Sequence, residues 1–216
     1  MIRQTQLIVF NLTFAFIILI LKMDIGIILL AAGASSRMGQ SKQLMKVKGV
    51  SLLVHSISVA VESGMHPVVV VLGANEQSHR KALEHLTVHI AINHRWENGM
   101  GGSLKAGLKY LLKRAPKIEA VVVMACDQPM MTEDHLKSMK AIYTGSDKRI
   151  VASQYSGTIG IPALFDKTLF SEILALSDDH GAKKIIQQHP NDTQAIDFPA
   201  GSIDLDTPDD YRNFTG

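Results

Sequence analysis

The sequence predicts an α/β fold in which helices cover both faces of a mostly parallel sheet. From Met23 onward, short apolar runs alternate with helical patterns, which is typical of parallel strands joined by crossover helices. The runs are continuously apolar, as in residues 25–30 (IGIILL), and strands buried on both faces have this pattern. Hydrophobic residues make up 46% and charged residues 19% of the 216, which is an ordinary globular composition and excludes disordered and fibrous classes.

The predicted elements follow one another in a regular order. After the first strand and a loop of small residues, a helix is predicted at 51–63, because its apolar residues recur near every 3.6 positions and Gly64 is a typical stop. The next elements are a strand at 67–72, a helix from a cap at Asn75 to about 86, a strand at 88–92, a helix at about 103–112, a strand at 120–125, a helix from a cap at Thr132 to 142, and a strand at 149–153. Short helices near 166–175 and 182–188 and short strands near 193–198 and 202–205 complete the pattern. Because the sequence has no repeat and no flexible linker, we expect one domain over residues 23–216.

Residues 1–22 form a hydrophobic N-terminal extension, for which three interpretations stay open. Residues 7–21 (LIVFNLTFAFIILIL) carry no charge, but this run is shorter than the roughly 20 apolar residues of a membrane-spanning helix. Arg3 before an apolar stretch also fits a signal peptide, yet the nearest cleavage pattern, at residues 32–34, would remove the first strand. The favoured interpretation is a mis-called start, with translation beginning at Met23, so we do not expect membrane contact.

Charge and cysteine content exclude several other classes. The net charge of +2 comes from Arg3 and Lys22, and the remaining 20 basic and 20 acidic residues balance. A neutral body without a basic run argues against nucleic-acid binding. The single cysteine, Cys126, excludes an intrachain disulfide and a cysteine-based zinc cluster, and it fits a reducing compartment such as the cytoplasm.

The loop after the first strand has the composition of a phosphate-binding loop. Residues 30–44 read LAAGASSRMGQSKQL, with Gly33 and Gly39 among small residues and with Arg37 and Lys42 as cations. Small residues let backbone N–H groups approach an anion, and the two cations add charge, so the loop suits a triphosphate. Neither the dinucleotide pattern GxGxxG nor the P-loop pattern GxxxxGK[ST] occurs here.

Two acidic motifs predict a divalent metal site. Asp127 of CDQP directly follows the buried strand 120–125, so its carboxylate lies at the carboxyl edge of the sheet, where it can hold Mg²⁺. Near the C-terminus, residues 203–211 read IDLDTPDDY. Because Asp204 and Asp206 alternate along the predicted strand, we expect only one of them to face the site. Thr207 and Pro208 then fit the start of a helix.

Other motifs are weaker when each is taken alone. In residues 98–107 (NGMGGSLKAG), the N–H groups of a helix beginning near Ser103 suit an anion or a base edge. The stretches 157–165 (GTIGIPALF) and 178–184 (DDHGAKK) are loops that allow a ligand to approach closely. The three neighbouring histidines are interpreted as structural or surface residues, because a predicted helix end separates His85 from His89 and His94.

Taken together, these motifs resemble the MobA-like NTP transferases of the molybdenum cofactor pathway. They occur in the family's order over about residues 25–214, and the closest subgroup is molybdenum cofactor cytidylyltransferase. The resemblance implies a Rossmann-like, three-layer nucleotidyltransferase fold and a Mg²⁺-dependent reaction. Guanylyltransferases of the family usually read LAGG where this chain has Ala32 before Gly33, so the alanine favours CTP. Ile161 stands where the cytidylyl type often has His or Asn, which leaves the acceptor open.

The resemblance also assigns roles to individual residues. It implies that nucleotide binding falls to Leu30, Ala31, Ala32, Gly33, Ser35, Ser36, Arg37, Lys42, Gly73, Gly99, Gly101 and Ser103. Arg37, Lys42 and Asp127 would act in catalysis, and Asp127 and Asp206 would hold Mg²⁺. Gly160, Pro162 and Gly181 would face the acceptor.

The implied reaction is transfer of CMP from CTP to the phosphate of molybdopterin, with release of pyrophosphate. A phosphate nucleophile is already ionised at neutral pH, so the expected catalysis is positioning plus charge neutralisation. A transient contact with a molybdenum hydroxylase would follow. The alternatives are a sister enzyme that uses GTP, another nucleotide or a sugar phosphate, and a non-catalytic carrier of the cofactor.

Overall fold

The computed structural model describes residues 23–215, without the side chains of Arg37 and Thr215. The predicted hydrophobic extension, residues 1–22, lies outside the described residues. Within the described part, no helix is long and apolar enough to cross a membrane.

Strands and helices alternate along the chain. The strands are β1 (Ile25–Ala31), β2 (Lys46–Val47), β3 (Val50–Ser51), β4 (Val68–Leu72), β5 (His89–Ile92), β6 (Ala120–Ala125), β7 (Ile150–Tyr155), β8 (Thr158–Asp166) and β9 (Thr193–Asp197). The helices are α1 (Leu52–Glu62), α2 (Glu76–Leu83), α3 (Met100–Arg114), α4 (Glu133–Gly145), α5 (Phe170–Ala175), α6 (Lys183–Gln188) and α7 (Pro208–Thr215). The prediction of an α/β fold is confirmed.

Seven strands form one mostly parallel, mixed sheet in the order β5-β4-β1-β6-β8-β7-β9. β1 pairs in parallel with both β4 and β6, and β7 pairs in parallel with β9, whereas β8 runs antiparallel between β6 and β7. β2 and β3 form a small separate hairpin that the sequence did not predict. β1 therefore occupies the middle of the parallel part, so the loop after it opens at the carboxyl edge, where ligands of such sheets bind.

Alternating residues of β1 divide between two hydrophobic cores, one on each face of the sheet. Ile27 and Leu29 belong to the core that also contains residues of α1 and α4. Ile28 and Leu30 belong to the core beneath α3, α5 and α6. The molecule thus has the three layers that the resemblance implied. Gly107 lets α3 lie close to the sheet, because a Cβ there would come within 2.7 Å of the side chain of Ile28.

The predicted cap at Thr132 is confirmed, and Ser51, which the sequence did not identify as a cap, has the same role at the start of α1. Ser51 and Thr132 accept hydrogen bonds from the N–H groups of Val54 and His135, as N-cap residues do. Asn75 was expected to cap α2 in the same way. Asn75 does occupy the N-cap position of α2, but its backbone adopts the left-handed conformation (φ 54°) and its side chain makes no capping bond, so only the position of the predicted cap is confirmed.

The predicted strand at residues 202–205 is also wrong. A 3₁₀ turn occupies Pro199–Ser202, and residues 203–206 continue without pairing to any described strand. Leu205 is buried and Ile203 is exposed. The alternation of apolar and polar residues in this stretch therefore reflects how one unpaired segment packs onto the domain, and not a strand of the sheet. This difference decides where the acidic residues of the segment lie.

Candidate nucleotide and metal site

The candidate site is a cavity of about 440 Å³ at the carboxyl ends of β1 and β6. A cavity of this size suits a small-molecule ligand. The predicted site residues that line it are Leu30, Ala31, Ala32, Gly33, Ser35, Ser36, Lys42, Gly99, Ser103, Asp127 and Asp206. Seven residues outside the predicted set also line it: Met38, Gln43, Trp96, Glu97, Met100, Ala125 and Cys126.

The loop after β1 forms one wall of this cavity. It contains two short 3₁₀ turns, Ser36–Met38 and Lys42–Leu44, which bring its end back to the edge of the sheet. Ser35 before the first turn has a left-handed backbone (φ 55°), which is uncommon for a residue with a side chain. Arg37 lies in the first turn, but its side chain is outside the described part of the chain, so its role stays a prediction.

Lys42 is buried at the edge of the cavity and meets three carboxylates. Its Nζ lies 2.6 Å from Oδ1 of Asp206, 3.1 Å from Oδ2 of Asp127 and 3.5 Å from Oδ1 of Asp204. Asp127 is placed by β6, as predicted, and the other two come from the irregular segment before α7. The expectation that only one of Asp204 and Asp206 faces the site is wrong, because the segment is not a strand and both carboxylates turn toward Lys42.

The close packing of these charges shifts their proton affinities. Burial alone would lower the pKa of Lys42, but the carboxylates of Asp127, Asp206 and Asp204 outweigh it and raise the pKa well above its usual range. Burial, together with the charges of Asp127 and Asp206, raises the pKa of Asp204 to about 6 against the attraction of Lys42. The ammonium group therefore stays charged and balances part of a strongly negative cluster.

The acidic cluster fits a divalent cation. One carboxylate oxygen from each of Asp127, Asp204 and Asp206 lies within 4.8 Å of the others. Oxygen ligands from Asp and Glu are those that Mg²⁺ and Mn²⁺ prefer. The ammonium group of Lys42, within 3.5 Å of each of these residues, shows that the arrangement already attracts a cation.

The glycine-rich turn at the start of α3 forms the opposite wall, but its N–H groups are already engaged. α3 begins at Met100 rather than near Ser103. The N–H groups of Gly101 and Gly102 donate to the carbonyl oxygen of Asp178, at 2.9 and 3.4 Å. The expectation that this helix start holds an anion is therefore wrong for these two groups, since the loop carrying Asp178 caps them.

Asp178 secures the same turn with its side chain. Its carboxylate pairs with Nζ of Lys105 at 2.6 Å and accepts from the amide of Asn98 at 3.3 Å. The hydrogen bonds from Lys105 and Asn98 hold the pKa of Asp178 below its usual range. Gly101 is buried against this loop and does not line the cavity. Gly181 lies against Met100 in the same region, because a Cβ at position 181 would be 3.0 Å from the sulfur of Met100.

Three further predicted residues, Gly73, Gly160 and Pro162, are not among those that line the cavity. Gly73 makes room for Trp96, because a Cβ there would lie 2.7 Å from Cβ of Trp96 and 2.8 Å from the carbonyl oxygen of Ala32. Trp96, not Gly73, lines the cavity. Gly160 and Pro162 lie on β8, where both are buried. None of these three residues therefore lines the cavity in which a nucleotide or an acceptor would bind.

A buried polar network connects this part of β8 to the metal site. The amide of Gln128, next to Asp127, donates to the carbonyl oxygen of Ile161 at 3.3 Å. The hydroxyl of Ser153 donates to the carbonyl oxygen of Pro162 at 2.8 Å, and it accepts from Nε2 of His135 at 2.8 Å, since its own proton is already used. These bonds fix the strand relative to the carboxylate edge.

Comparison with known proteins identifies the family. The family described as "MobA-like NTP transferase domain" matches residues 27–193 of the chain. The chain belongs to the MobA-like NTP transferase family. It is an NTP-dependent nucleotidyltransferase, in agreement with the resemblance drawn from the motifs.

MobA-like relatives of the chain carry diverse names. The purine catabolism protein PucB of Bacillus subtilis is 27% identical over 198 residues, which cover 85% of this chain and 92% of that protein. The nicotine blue oxidoreductase of Paenarthrobacter nicotinovorans is 30% identical over 191 residues, which cover 83% and 91%. The crystal structure of Rv0371c from Mycobacterium tuberculosis has a TM-score of 0.76 at 27% identity and covers 89% of this chain and 98% of that one. A structure of Rv0371c in complex with manganese has also been solved.

Sequence reasoning also misjudged three residues that shape this MobA-like site. Asp204 was placed on the wrong face, and Gln43 and Asp178 were not singled out. Cys126 is buried, and burial together with the neighbouring Asp127 raises the pKa of its thiol to about 12. The proline at position 199, just before residues 202–205, argues against a strand there. No local feature of the sequence points to Gln43.

Proposed function

We propose that this enzyme transfers CMP from CTP to the terminal phosphate of a molybdopterin-type acceptor and releases pyrophosphate. The observation that carries the proposal is the convergence of Lys42, Asp127, Asp204 and Asp206 at the open edge of a cavity walled by the small-residue loop. Such a site combines a cation-binding cluster with a loop that a triphosphate can approach closely.

Each element of the site has a role in this transfer. The loop of residues 31–39 would hold the phosphates, and Arg37 and Lys42 would neutralise charge as the α-phosphate is attacked. Asp127 and Asp206, with Asp204 beside them, would hold Mg²⁺, which when bound supplies further charge neutralisation on the triphosphate. The manganese complex of Rv0371c is consistent with a divalent ion in this fold.

The acceptor phosphate needs no strong base, because it is ionised at neutral pH. The chain therefore has to orient two anionic groups and offset their repulsion, which is the usual task in phosphoryl transfer. Lys42 is suited to this task because it sits between the carboxylates and the cavity. We expect its ammonium group to move from the carboxylates toward the phosphates when a nucleotide and a metal ion bind.

Ala32 supports CTP as the nucleotide. It lines the cavity and stands at the position where guanylyltransferases of the family usually have glycine. The extra methyl group reduces the room for a base at this wall. A smaller pyrimidine is therefore favoured over a purine.

The test is pyrophosphate release with Mg²⁺, a molybdenum-loaded pterin acceptor and each of CTP, GTP, ATP and UTP. We expect release with CTP and none with Asp127→Asn, which keeps the size of the side chain but removes its charge. Release with another nucleotide would overturn the specificity and keep the reaction class. Silence with all four nucleotides, while the protein still binds the acceptor, would favour a non-catalytic carrier.

The name of the Paenarthrobacter relative raises an oxidoreductase as a second candidate. The sequence contains no GxGxxG pattern for a dinucleotide. The two candidates separate in one assay, because an oxidoreductase would consume NADH or NADPH without releasing pyrophosphate.

A further inference from the structure

The loop after β1 is held together by a buried glutamine at the cavity wall. Gln43 is only 3% exposed, although it lies in a loop. Its Nε2 donates to the carbonyl oxygen of Gly33 at 2.7 Å, and its Oε1 accepts from the hydroxyls of Ser35 at 3.0 Å and Ser41 at 2.9 Å. One amide side chain thus joins the beginning and the end of the loop.

The direction of these bonds follows from the groups present. The carbonyl oxygen of Gly33 can only accept, so the group facing it must be the amide nitrogen of Gln43. The amide oxygen of Gln43 then faces two hydroxyls, each of which donates its single proton to it. Every polar atom of the Gln43 side chain is therefore engaged, which fixes its orientation.

A histidine on α2 completes the support. Nε2 of His79 lies 2.7 Å from the hydroxyl oxygen of Ser41, and His79 is 0% exposed. Because Ser41 has already given its proton to Gln43, Nε2 of His79 must be the donor, and the ring is neutral with a bare Nδ1. Within the described residues Nδ1 has no hydrogen-bond partner, and burial lowers the pKa of His79, which agrees with a neutral ring.

The supported loop is under strain at one residue. Ser35 adopts the left-handed conformation, with φ 55° and ψ 39°, and a serine in this region persists only where its surroundings enforce it. The bond from the hydroxyl of Ser35 to Gln43 supplies this enforcement. Ser35 also lines both the nucleotide cavity and a second cavity of about 350 Å³ on the other side of the loop. The loop thus separates two cavities. Because it has open space on both sides, it depends on hydrogen bonds from side chains to keep its shape.

We propose that Gln43, backed by Ser41 and His79, is the positioning device that holds the loop of residues 33–41 in its nucleotide-binding shape. The inference rests on the proposed function in so far as this loop binds a nucleotide. Gln43 acts through the loop, so its loss should weaken nucleotide binding more than turnover. If only a fraction of the molecules holds the loop in the binding shape, the apparent affinity for the nucleotide is reduced by that fraction.

The first experiment measures the loop without any nucleotide. Hydrogen–deuterium exchange of Gln43→Leu is compared with that of the wild type and of Gln77→Leu, which removes an exposed glutamine from α2. We expect exchange of the amides of residues 33–41 to become at least about tenfold faster in Gln43→Leu alone, with β6 unchanged. Unchanged exchange in the loop, or an equal rise throughout β6, would overturn the proposal.

The second experiment measures binding of CTP, GTP, ATP and UTP in the presence of Mg²⁺ by calorimetry. For the nucleotide that the wild type prefers, we expect Gln43→Leu to raise Kd and KM at least about tenfold and to change kcat less than about threefold. A fall in kcat with unchanged KM would contradict the positioning role. If the wild type binds none of the four nucleotides, the proposed function fails, and the exchange comparison still decides whether Gln43 supports the loop.

Conservative variants test the chain of bonds. His79→Gln keeps a donor toward Ser41 and should retain most of the nucleotide affinity, whereas His79→Leu should lose several-fold. A His79→Gln variant as weak as His79→Leu would show that volume, not the hydrogen bond, matters. Should Gln43→Leu fail to fold, Ser41→Ala breaks the same chain without adding volume, and the same loss of affinity and of loop protection is expected.

Discussion

On the proposed function, Lys42 and a divalent metal ion would compete for the same three carboxylates, and this competition can be measured. The Lys42 ammonium nitrogen lies between 2.6 and 3.5 Å from oxygens of Asp206, Asp127 and Asp204, and the side chain is largely buried. An ion bound by the same oxygens would face a positive charge a few ångströms away. We therefore expect Lys42→Met, which keeps the length of the chain but removes its charge, to bind Mn²⁺ more tightly than the wild type when no nucleotide is present.

The size of the effect follows from the distances. Two unit charges 4 Å apart interact with about 1 kcal/mol in bulk water, so a divalent ion and an ammonium group repel by about 2 kcal/mol. This repulsion corresponds to roughly a thirtyfold change in affinity. Because the lysine is buried, where screening is weaker, thirtyfold is the lower bound. If the lysine moves away instead, the wild type loses its contacts with the carboxylates, which also weakens metal binding.

The assay is a titration of each protein with Mn²⁺, followed by electron paramagnetic resonance or calorimetry. Lys46→Met is the matched control, because this neighbouring lysine is exposed and lies outside the cluster. Turnover of Lys42→Met should fall by about two orders of magnitude, as it does when a charge-stabilising group is removed from other enzymes. Equal or weaker Mn²⁺ affinity of Lys42→Met would refute the competition.

Three further predictions concern the surroundings of the cavity. Asp178→Asn should raise the KM for the nucleotide several-fold in the pyrophosphate assay, because it weakens the support of the glycine turn, while Asp179→Asn should leave it unchanged. Gly73→Ala should lower the free energy of unfolding by about 1–3 kcal/mol in a denaturant titration, since the new methyl group meets Trp96 and backbone. Burial lowers the pKa of His135 below its ordinary value, so the stability that its neutral form provides is present above about pH 6.5 and is lost on acidification. His135→Gln should therefore lose less Tm than the wild type between pH 7.5 and 5.5 in a thermal-unfolding scan.

The parts of the fold that the sequence predicts well are those that local patterns determine. β1 and β6 are continuous apolar runs with both faces buried, so their positions follow directly from composition. Asp127 was correctly placed because it directly follows one of these runs. Thr132 was correctly identified as a cap because the side-chain oxygen of a threonine before a helix can accept a hydrogen bond from a free N–H group of the first turn.

The incorrect predictions share a different cause, which is contact between segments far apart in the chain. α3 starts before its predicted position because Asp178, from a distant loop, caps its first N–H groups. Asp204 was assigned to the wrong face because polar and apolar residues alternate over 202–205 as in a strand. After the turn that begins at Pro199, however, these residues form no strand. Gln43 resembles an exposed loop residue in the sequence, and it is buried because α1 and α2 both pack against its turn.

The position of Lys42 predicts that the acidic cluster and the proposed nucleotide loop depend on each other. Lys42 ends the loop that follows β1, and its nearest partner, Asp206, is 164 residues away in the segment before α7. The same short 3₁₀ turn, Lys42–Leu44, carries the lysine toward the carboxylates and Gln43 toward Gly33. A change that loosens the loop must therefore also displace the cation from the acidic cluster. Gln43→Leu should then raise the affinity for Mn²⁺ in the absence of nucleotide, although no hydrogen bond joins Gln43 to the three carboxylates within the described residues. A titration that shows no change in this affinity would mean that Lys42 and Gln43 move independently within the turn.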